Sequence, residues 1–226
     1  MSRAAAILLD LDGTLLDTAP DMVGALNRLR REEGREPLPF AAVRASVSHG
    51  SQRLVALGFP TAAAGAEFER LRERFLRLYA DNLADGTCLF PGMSEVLATL
   101  ESARVPWGVV TNKHGWLTDP LLERLGLATR ACCVVSGDTV AERKPHPMPL
   151  LHAARLAGVR PGDCVYVGDA ERDIVAGRAA GMQTVVAGYG YIAREDAPLQ
   201  WLADGIVERP AELLDWVTLR RRAVDA

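Results

Sequence analysis

The sequence predicts an α/β fold in which a parallel sheet forms the core and an all-helical segment is inserted into it. Between residues 105 and 190, four apolar runs of strand length alternate with helical segments, at the interval typical of βαβ units. A further apolar run, at residues 4–9, is separated from them by a long stretch with helical periodicity. We therefore expect one sheet whose first strand precedes the insertion.

The first apolar run, Ala4 to Leu9, suits a central strand that is buried on both faces. Asp10 and Asp12 follow it, near the strand's carboxyl end, where open α/β sheets bind ligands. Crowded carboxylates repel each other and raise at least one pKa, and a hard cation such as Mg²⁺ relieves that repulsion. The alternative is an ordinary turn in which Asp10 is a capping residue and Asp12 is solvated. This stretch alone leaves both interpretations open.

Helical periodicity dominates the next part of the chain. A first helix is predicted from Ala19 to Glu33, where Gly34 ends the pattern. Two more are predicted over Ala41 to Leu57 and from about Ala66 to Asn82. We expect these three helices to form a separate unit that is inserted between the first strand and the rest of the sheet.

The later strands are predicted in the runs "VPWGVVTN", "ACCVVSGD", "DCVYVGDA" and "MQTVVAGY", with helices between them. The segment "FPGMSEVLATL" marks the chain's return from the insertion, and Ser94 is a candidate cap of the next helix. The predicted organisation is a helical domain at residues 16–86 and an α/β core made of residues 1–15 and 87–226.

Composition excludes several classes of partner. The formal net charge is -3 and the pI is about 5.9, so no general basic bias favours nucleic acid or anionic membranes. No apolar run approaches the roughly 20 residues that span a bilayer, and Asp10 interrupts the first apolar stretch before a signal peptide is complete. The four cysteines lack a metal-ligand pattern and are expected to be buried, reduced thiols. We expect a cytoplasmic monomer or homodimer that acts on small molecules.

Polar residues follow the predicted strands at their carboxyl ends. Thr111 and Asn112 follow one strand, and Asp169 ends another, with Asp173 four residues on. Lys144, in "ERKPHP", precedes a helix. Because parallel strands end at the same edge of a sheet, we expect these groups to meet Asp10 in one crevice.

This set of groups suits a phosphate monoester substrate. Asp10 can attack phosphorus and form an aspartyl phosphate, which splits one difficult displacement into two steps. Mg²⁺ held by Asp10, Asp169 and the backbone carbonyl of Asp12 would offset the charge of nucleophile and substrate. The Asp12 side chain remains as general acid and base. The groups that can bind the phosphoryl oxygens are Thr111, Asn112 and Lys144.

The motifs "DLDGTLLDT", "VVTN", "RKPHP" and "GDAERD" resemble, in order, the four motifs of the haloacid dehalogenase superfamily of phosphatases. The resemblance implies a Rossmann-like parallel sheet core with an all-helical cap domain, and Mg²⁺ as cofactor. It implies Asp10 as nucleophile, Asp12 as acid and base, and Asp173 as a residue that supports the metal site. It also implies phosphate ligands at Thr111 and Lys144, and metal ligands at Asp10, Asp169 and the Asp12 carbonyl. A dehalogenase proper would lack Asp12.

Within the superfamily, the segments "WGVVTNK" and "YGYIAREDAPLQWLADGIVERPAEL" are similar to phosphoglycolate phosphatase-like enzymes. They are also similar to relatives in bacterial cell-wall recycling that act on N-acetylmuramic acid 6-phosphate, and the likeness favours a sugar phosphate. Two alternatives stay open: a phosphosugar mutase of the β-phosphoglucomutase type, and a binding module without turnover. The expected mark of such a module is a missing Asp10, Asp12, Lys144 or Asp169, and all four are present.

Selectivity is expected to reside in the helical insertion, because nothing in the core motifs reads the leaving group. The segment "SVSHGSQR" contains the candidate substrate contacts Ser48, His49 and Arg53. Arg53 suits a substrate carboxylate, since a guanidinium can bond both carboxylate oxygens. An ordinary polar helix surface is the alternative for this segment. Asp17 can either touch the site or cap the first helix, and the sequence does not decide.

Overall fold

The computed structural model describes residues 4–62, 64–193 and 195–217. Its strands are β1 (Ala6–Leu9), β2 (Leu16–Asp17), β3 (Cys88–Leu89), β4 (Trp107–Val110), β5 (Val134–Val135), β6 (Cys164–Gly168), β7 (Gln183–Ala187) and β8 (Gly205–Val207). Six of them form a parallel sheet in the order β5-β4-β1-β6-β7-β8. The first strand is therefore central, as its unbroken apolar run predicts.

Helices cover both faces of this sheet. In chain order they are α1 (Ala19–Glu32), α2 (Phe40–Arg44), α3 (Gly50–Gly58), α4 (Ala66–Asp81), α5 (Met93–Ser102), α6 (Gly115–Arg124), α7 (Met148–Ala157) and α8 (Glu171–Ala179). Alternate residues of β1 point to opposite faces. Ala6 and Leu8 are buried with residues of α7 and α8, whereas Ile7 and Leu9 are buried with residues of α5 and α6. The predicted α/β fold class is confirmed.

The helices α1 to α4 lie between β2 and β3 and pack against one another. The two short strands pair antiparallel, Leu16 with Leu89 and Asp17 with Cys88, so the chain leaves and re-enters the core side by side. The predicted bounds of the insertion stay a prediction. The predicted core also includes residues 1–3 and 218–226, which lie outside the described residues.

The single helix predicted from Ala41 to Leu57 is wrong. The structure divides this segment into α2, a 3₁₀ turn at Val47–His49, and α3, which begins at Gly50 with a φ of 74°. Glycine adopts positive φ without a Cβ penalty, so the chain can change direction there. Ser48 and His49 consequently lie in a bend instead of along a helix.

Two smaller expectations also need correction. Gly92, with a φ of 87°, precedes α5, and Ser94 lies inside that helix, so it is not the cap. Cys133 and Cys164 are buried as expected, but Cys88 and Cys132 are exposed. The short strand β8 was not predicted.

None of the helices within the described ranges is both long enough and apolar enough to cross a bilayer.

Candidate active site

A cavity of about 290 Å³ lies at the carboxyl edge of the sheet, between the core and the helical insertion. From the core it is lined by Asp10, Asp12, Thr111, Asn112, Lys113, His114, Leu117, Arg143 and Arg172. From the insertion it is lined by Met22, Ser48, His49, Gly50, Ser51, Gln52, Arg72, Leu76 and Tyr79. Of the strand-end groups that the sequence predicts to meet, Asp10, Thr111 and Asn112 line this cavity. Lys144, Asp169 and Asp173 lie next to Asp10 but do not line the cavity.

Lys144 lies beneath this cavity and joins two carboxylates. Its Nζ is 2.8 Å from Asp10 Oδ1 and 2.8 Å from Asp173 Oδ1. It also donates hydrogen bonds to the Val110 carbonyl at 2.9 Å and to the Tyr166 hydroxyl at 2.7 Å. Lys144 is only 3% exposed, which excludes the solvated turn residue that a Lys-Pro pair usually indicates. The ammonium instead fixes the position of Asp10.

Asp10 is buried, and its carboxylate is held at one oxygen. Oδ1 accepts a hydrogen bond from the Leu11 amide at 2.7 Å and pairs with Lys144. Burial raises the pKa of Asp10, and the charge of Asp173 adds to the effect, whereas Lys144 opposes it. The other oxygen, Oδ2, is 4.0 Å from the Arg172 guanidinium. Among the described residues, Oδ2 therefore has fewer and more distant polar contacts than Oδ1.

Asp169 approaches from the end of β6. Its Oδ2 accepts hydrogen bonds from the Ser48 hydroxyl at 2.5 Å and from the Tyr191 amide at 2.9 Å. Its Oδ1 is buried and has no hydrogen-bond partner among the described residues. Burial, followed by the nearby charges of Asp10 and Asp173, raises the pKa of Asp169 to about 7. A carboxylate oxygen left in this state is an open ligand position.

The carboxylates at this edge fit a metal ion. One oxygen each of Asp10, Asp169 and Asp173 lie within 4.8 Å of one another. Asp173 is already bound to Lys144 and accepts the Ala170 amide at 3.2 Å, which leaves Asp10 and Asp169 as the better side-chain ligands. An oxygen-only donor set suits Mg²⁺. The unpartnered Asp169 oxygen is the observation that such an ion would explain.

Asp12 also lines the cavity, and its carboxylate has two partners. Its Oδ1 is 2.6 Å from the Lys113 Nζ and accepts the Thr18 hydroxyl at 2.7 Å. Lys113 also lies over the ring of Tyr79 from α4, 4.9 Å from its centroid. Although burial opposes it, the charge of Asp12 raises the pKa of Lys113, which therefore stays cationic. Asp12 is thus oriented by the core and linked to the insertion through Lys113.

Thr111 and Asn112 make different contacts. Thr111 is buried, lines the cavity, and accepts the Lys113 amide at 3.1 Å through its hydroxyl. The Asn112 side chain also lines the cavity, but its amide pairs with the main chain of Lys144, at 2.9 and 3.0 Å. Asn112 therefore holds the Lys144 segment against the end of β4.

The structure brings two of the three candidate contacts of the insertion to the site. Ser48 bonds Asp169, and His49 lines the cavity, where burial and then Arg172 lower its pKa. Arg53 is exposed and lies outside the cavity lining. Asp17 accepts the Tyr191 hydroxyl at 2.7 Å and the Ala19 amide at 3.3 Å, so it caps the start of α1 away from the cavity.

Four residues of the site were not assigned a role from the sequence. Tyr166 and Lys113 contact the predicted carboxylate network, and Arg172 donates to the Ser48 carbonyl at 2.7 Å. Arg72 lines the cavity from α4. The position of Lys113 directly after Thr111 and Asn112 was a signal that could have found it. Arg72 gave no such signal, because it is one of several arginines on the same helix.

The family model described as haloacid dehalogenase-like hydrolase matches residues 7–187, which include the whole site, and the chain belongs to that family. A phosphoglycolate phosphatase of Xylella fastidiosa is 46% identical over 204 residues, 90% of this chain and 89% of that protein. An N-acetylmuramic acid 6-phosphate phosphatase of Pseudomonas aeruginosa is 42% identical over 213 residues, 94% of each chain.

A solved structure with a similar fold also bears the name phosphoglycolate phosphatase. The crystal structure of a predicted phosphoglycolate phosphatase from Haemophilus somnus 129pt superimposes with a TM-score of 0.83 at 28% identity, and covers 95% of this chain and 98% of that one. Family, relatives and fold together define an enzyme of the phosphoric monoester hydrolase class. The expectation of a haloacid dehalogenase-type phosphatase is confirmed at this level.

Proposed function

We propose that the protein is a Mg²⁺-dependent phosphatase that hydrolyses a small-molecule phosphate monoester through an aspartyl-phosphate intermediate. The observation that carries this proposal is the position of Asp10, which faces the cavity with one oxygen fixed by Lys144 and the other less engaged. A fixed carboxylate at the end of a strand is suited to in-line attack, because its orientation is set before the substrate arrives.

The metal would be held by Asp10, Asp169 and the Asp12 backbone carbonyl. When bound, a hard dication offsets the charge between an anionic nucleophile and an anionic phosphate. Asp173 supports this set from outside, since it fixes Lys144, which in turn fixes Asp10. The unpartnered oxygen of Asp169 supports the assignment.

In the first step, Asp10 attacks phosphorus while the bond from phosphorus to the leaving oxygen breaks. Asp12, which lines the same cavity, gives that oxygen a proton. In the second step, Asp12 takes a proton from water, which attacks phosphorus and releases phosphate from Asp10. Lys113 and Thr18 hold the Asp12 carboxylate in place for both transfers. Thr111, which lines the cavity, binds a phosphoryl oxygen, Lys144 supplies positive charge beside Asp10, and Asn112 acts mainly by positioning Lys144.

The helical insertion, residues 16–86, acts as a cap over the core. Ser48 and His49 reach the site from it, and Arg172 of the core binds the Ser48 carbonyl. Such a closed arrangement excludes bulk water from the reacting groups. The Arg53 contact that the sequence suggested has no support from the structure, because this side chain lies outside the cavity.

The substrate is N-acetylmuramic acid 6-phosphate or phosphoglycolate, in the cytoplasm. The phosphoglycolate phosphatase is 46% identical to this chain and the N-acetylmuramic acid 6-phosphate phosphatase is 42% identical. Each match covers at least nine-tenths of this chain, which supports either substrate. A role in cell-wall recycling follows if the sugar phosphate is preferred.

Phosphate release by the purified protein tests this proposal. The assay compares both candidate substrates, hexose phosphates and nucleoside monophosphates, with Mg²⁺ and with EDTA. We expect release that needs Mg²⁺, prefers one of the two candidates, and is abolished in Asp10→Asn, which removes the nucleophile with little change of volume. Release by folded Asp10→Asn at the wild-type rate would overturn the mechanism, and no release from any compound would overturn the function.

A further inference from the structure

We propose that Arg72 on α4 is the specificity-determining residue that binds a carboxylate of the substrate. The inference rests on the proposed phosphatase function and deepens it. It concerns the part of the substrate that does not react, which lies in the cavity between the phosphoryl site and the insertion. The substrate class that Arg72 selects is phosphate monoesters that carry a carboxylate.

Arg72 is built into the cavity wall that the insertion contributes. Its side chain is 24% exposed, much less than those of Arg70 and Arg74 on the same helix, which are 49% and 40% exposed. Arg70 pairs with Glu33, which follows α1, and with Glu67, whereas Arg74 pairs with Glu32 of α1, and all of these residues lie outside the cavity lining. Arg72 therefore differs from its neighbours in direction as well as in burial.

The two partners of Arg72 leave it able to accept a ligand. Its Nε donates to the Ser51 hydroxyl at 3.3 Å, and its Nη1 lies 2.9 Å from Glu69. A guanidinium has five N–H donors, so these contacts leave several for an incoming acceptor. The Glu69 side chain is 55% exposed, and an ion pair at such a site contributes little, so a substrate carboxylate can displace it at small cost.

The other cationic groups of the cavity all come from the core. Lys113 is paired with Asp12, and Arg172 is 4.0 Å from Asp10 and bound to Ser48. Arg143 donates to the Gly137 carbonyl at 2.6 Å and contacts His114 at 3.2 Å. Arg72 is the arginine that the insertion contributes to this lining. Among the described residues, its charged partner is the exposed Glu69 alone.

Both proposed substrates have a carboxylate, which is the group that Arg72 would bind. Phosphoglycolate has a carboxylate next to the ester carbon, and N-acetylmuramic acid has one on its lactyl ether. A guanidinium forms bidentate, charge-assisted hydrogen bonds with such a group. Arg72 would thus bind the group that these two otherwise different molecules share.

The test uses two matched pairs of substrates. Phosphoglycolate is compared with 2-hydroxyethyl phosphate, and N-acetylmuramic acid 6-phosphate with N-acetylglucosamine 6-phosphate, which lacks the lactyl group. For Arg72→Gln we expect kcat/KM to fall about ten- to hundredfold for the carboxylated member, mainly through KM, and to change little for its partner. Arg72→Lys should restore part of the loss, because it keeps the charge without the planar fork.

Arg74→Gln is the matched control, and it should leave both members of each pair unchanged. Binding of the same compounds to Asp10→Asn, with and without Arg72→Gln, gives a second readout that needs no turnover. Equal losses for both members of a pair, or no loss, would overturn the role of Arg72 while the phosphatase stands. A wild-type protein that releases phosphate from none of the compounds would overturn the proposed function itself.

Discussion

Two glycines of this site, Gly13 and Gly168, leave no room for a side chain at their positions. Gly13 has a φ of 84°, and a Cβ built on it would lie 2.0 Å from Asp169 Oδ2. Gly168 likewise faces the Asp173 side chain, where a Cβ would lie 2.3 Å from the Asp173 Cβ. Overlap at such distances forces the carboxylates to move. The glycine of the first motif is therefore needed for space as well as for its turn.

Gly13→Ala tests this requirement, with Gly34→Ala as its matched control. Both positions have positive φ, 84° and 68°, but nothing lies within 4 Å of a Cβ at Gly34. We expect Gly34→Ala to lower the free energy of unfolding by about 1 kcal/mol and Gly13→Ala by about 2 to 4 kcal/mol. The measurement is thermal unfolding with and without Mg²⁺.

Only Gly13→Ala should also lose the stabilisation by Mg²⁺, because its Cβ displaces Asp169. If Mg²⁺ stabilises Gly13→Ala against thermal unfolding as much as it stabilises the wild type, Asp169 is not a ligand of the metal.

The sequence predicted the residues at strand ends and missed those that only packing selects. Asp10, Thr111 and Asp169 follow apolar runs, and parallel strands bring their ends to one edge. Arg72 stands among other arginines with the same helical periodicity, and only the packing of α4 against the rest of the insertion distinguishes it. Arg53, chosen for its local context, lies on an exposed face.

Among the elements, the segment between α2 and α3 departs most from its sequence prediction. The run from Ala41 to Leu57 has helical periodicity, but Ser46, Ser48 and Gly50 have low helix propensity, and the chain bends at Ser46 and at Gly50. The bend places the Ser48 hydroxyl and carbonyl against Asp169 and Arg172. Tertiary contacts of this kind outweigh a local preference of a few tenths of a kcal/mol per residue.

The chain's return from the insertion is held to α1 by one carboxylate. Asp21, which is buried in the first turn of α1, accepts the amides of Gly86 and Thr87 at 2.7 and 2.9 Å, and the Thr87 hydroxyl at 2.6 Å. A carboxylate near a helix N-terminus is also favoured by the helix dipole. This contact fixes the second linker beside the first.

We expect Asp21→Ala to lower the free energy of unfolding by about 2 to 3 kcal/mol, because it removes three hydrogen bonds and leaves the buried Thr87 amide unpaired. Thr87→Val, which removes only the hydroxyl bond, should lower it by about 1 kcal/mol. Denaturant unfolding of both variants measures the difference. If Asp21→Ala is no less stable than Thr87→Val, the linker amides do not depend on this carboxylate.

In the whole molecule, the core and the helical insertion both contribute residues to the cavity that contains Asp10. The core supplies Asp10, Asp12 and Lys144, which we propose act on the phosphate ester, and the insertion supplies His49 and Arg72. The order of motifs along the chain sufficed to predict the α/β core and the crevice. The order of motifs did not predict how the insertion packs against the core, because no local sequence pattern indicates which polar residues of the insertion face the core.

The central claim is that Asp10 forms a covalent phosphoryl intermediate, and Asp12→Asn tests it most directly. With p-nitrophenyl phosphate, the leaving group needs no proton from Asp12, so the first step proceeds, whereas attack by water lacks its base. We expect a burst of nitrophenolate that is stoichiometric with the enzyme and is absent in Asp10→Asn/Asp12→Asn. After acid quench, mass spectrometry should find one phosphoryl group on the peptide that contains Asp10. A wild-type enzyme that hydrolyses this compound, combined with no burst and no phosphoryl group on Asp10 in Asp12→Asn, would contradict the account.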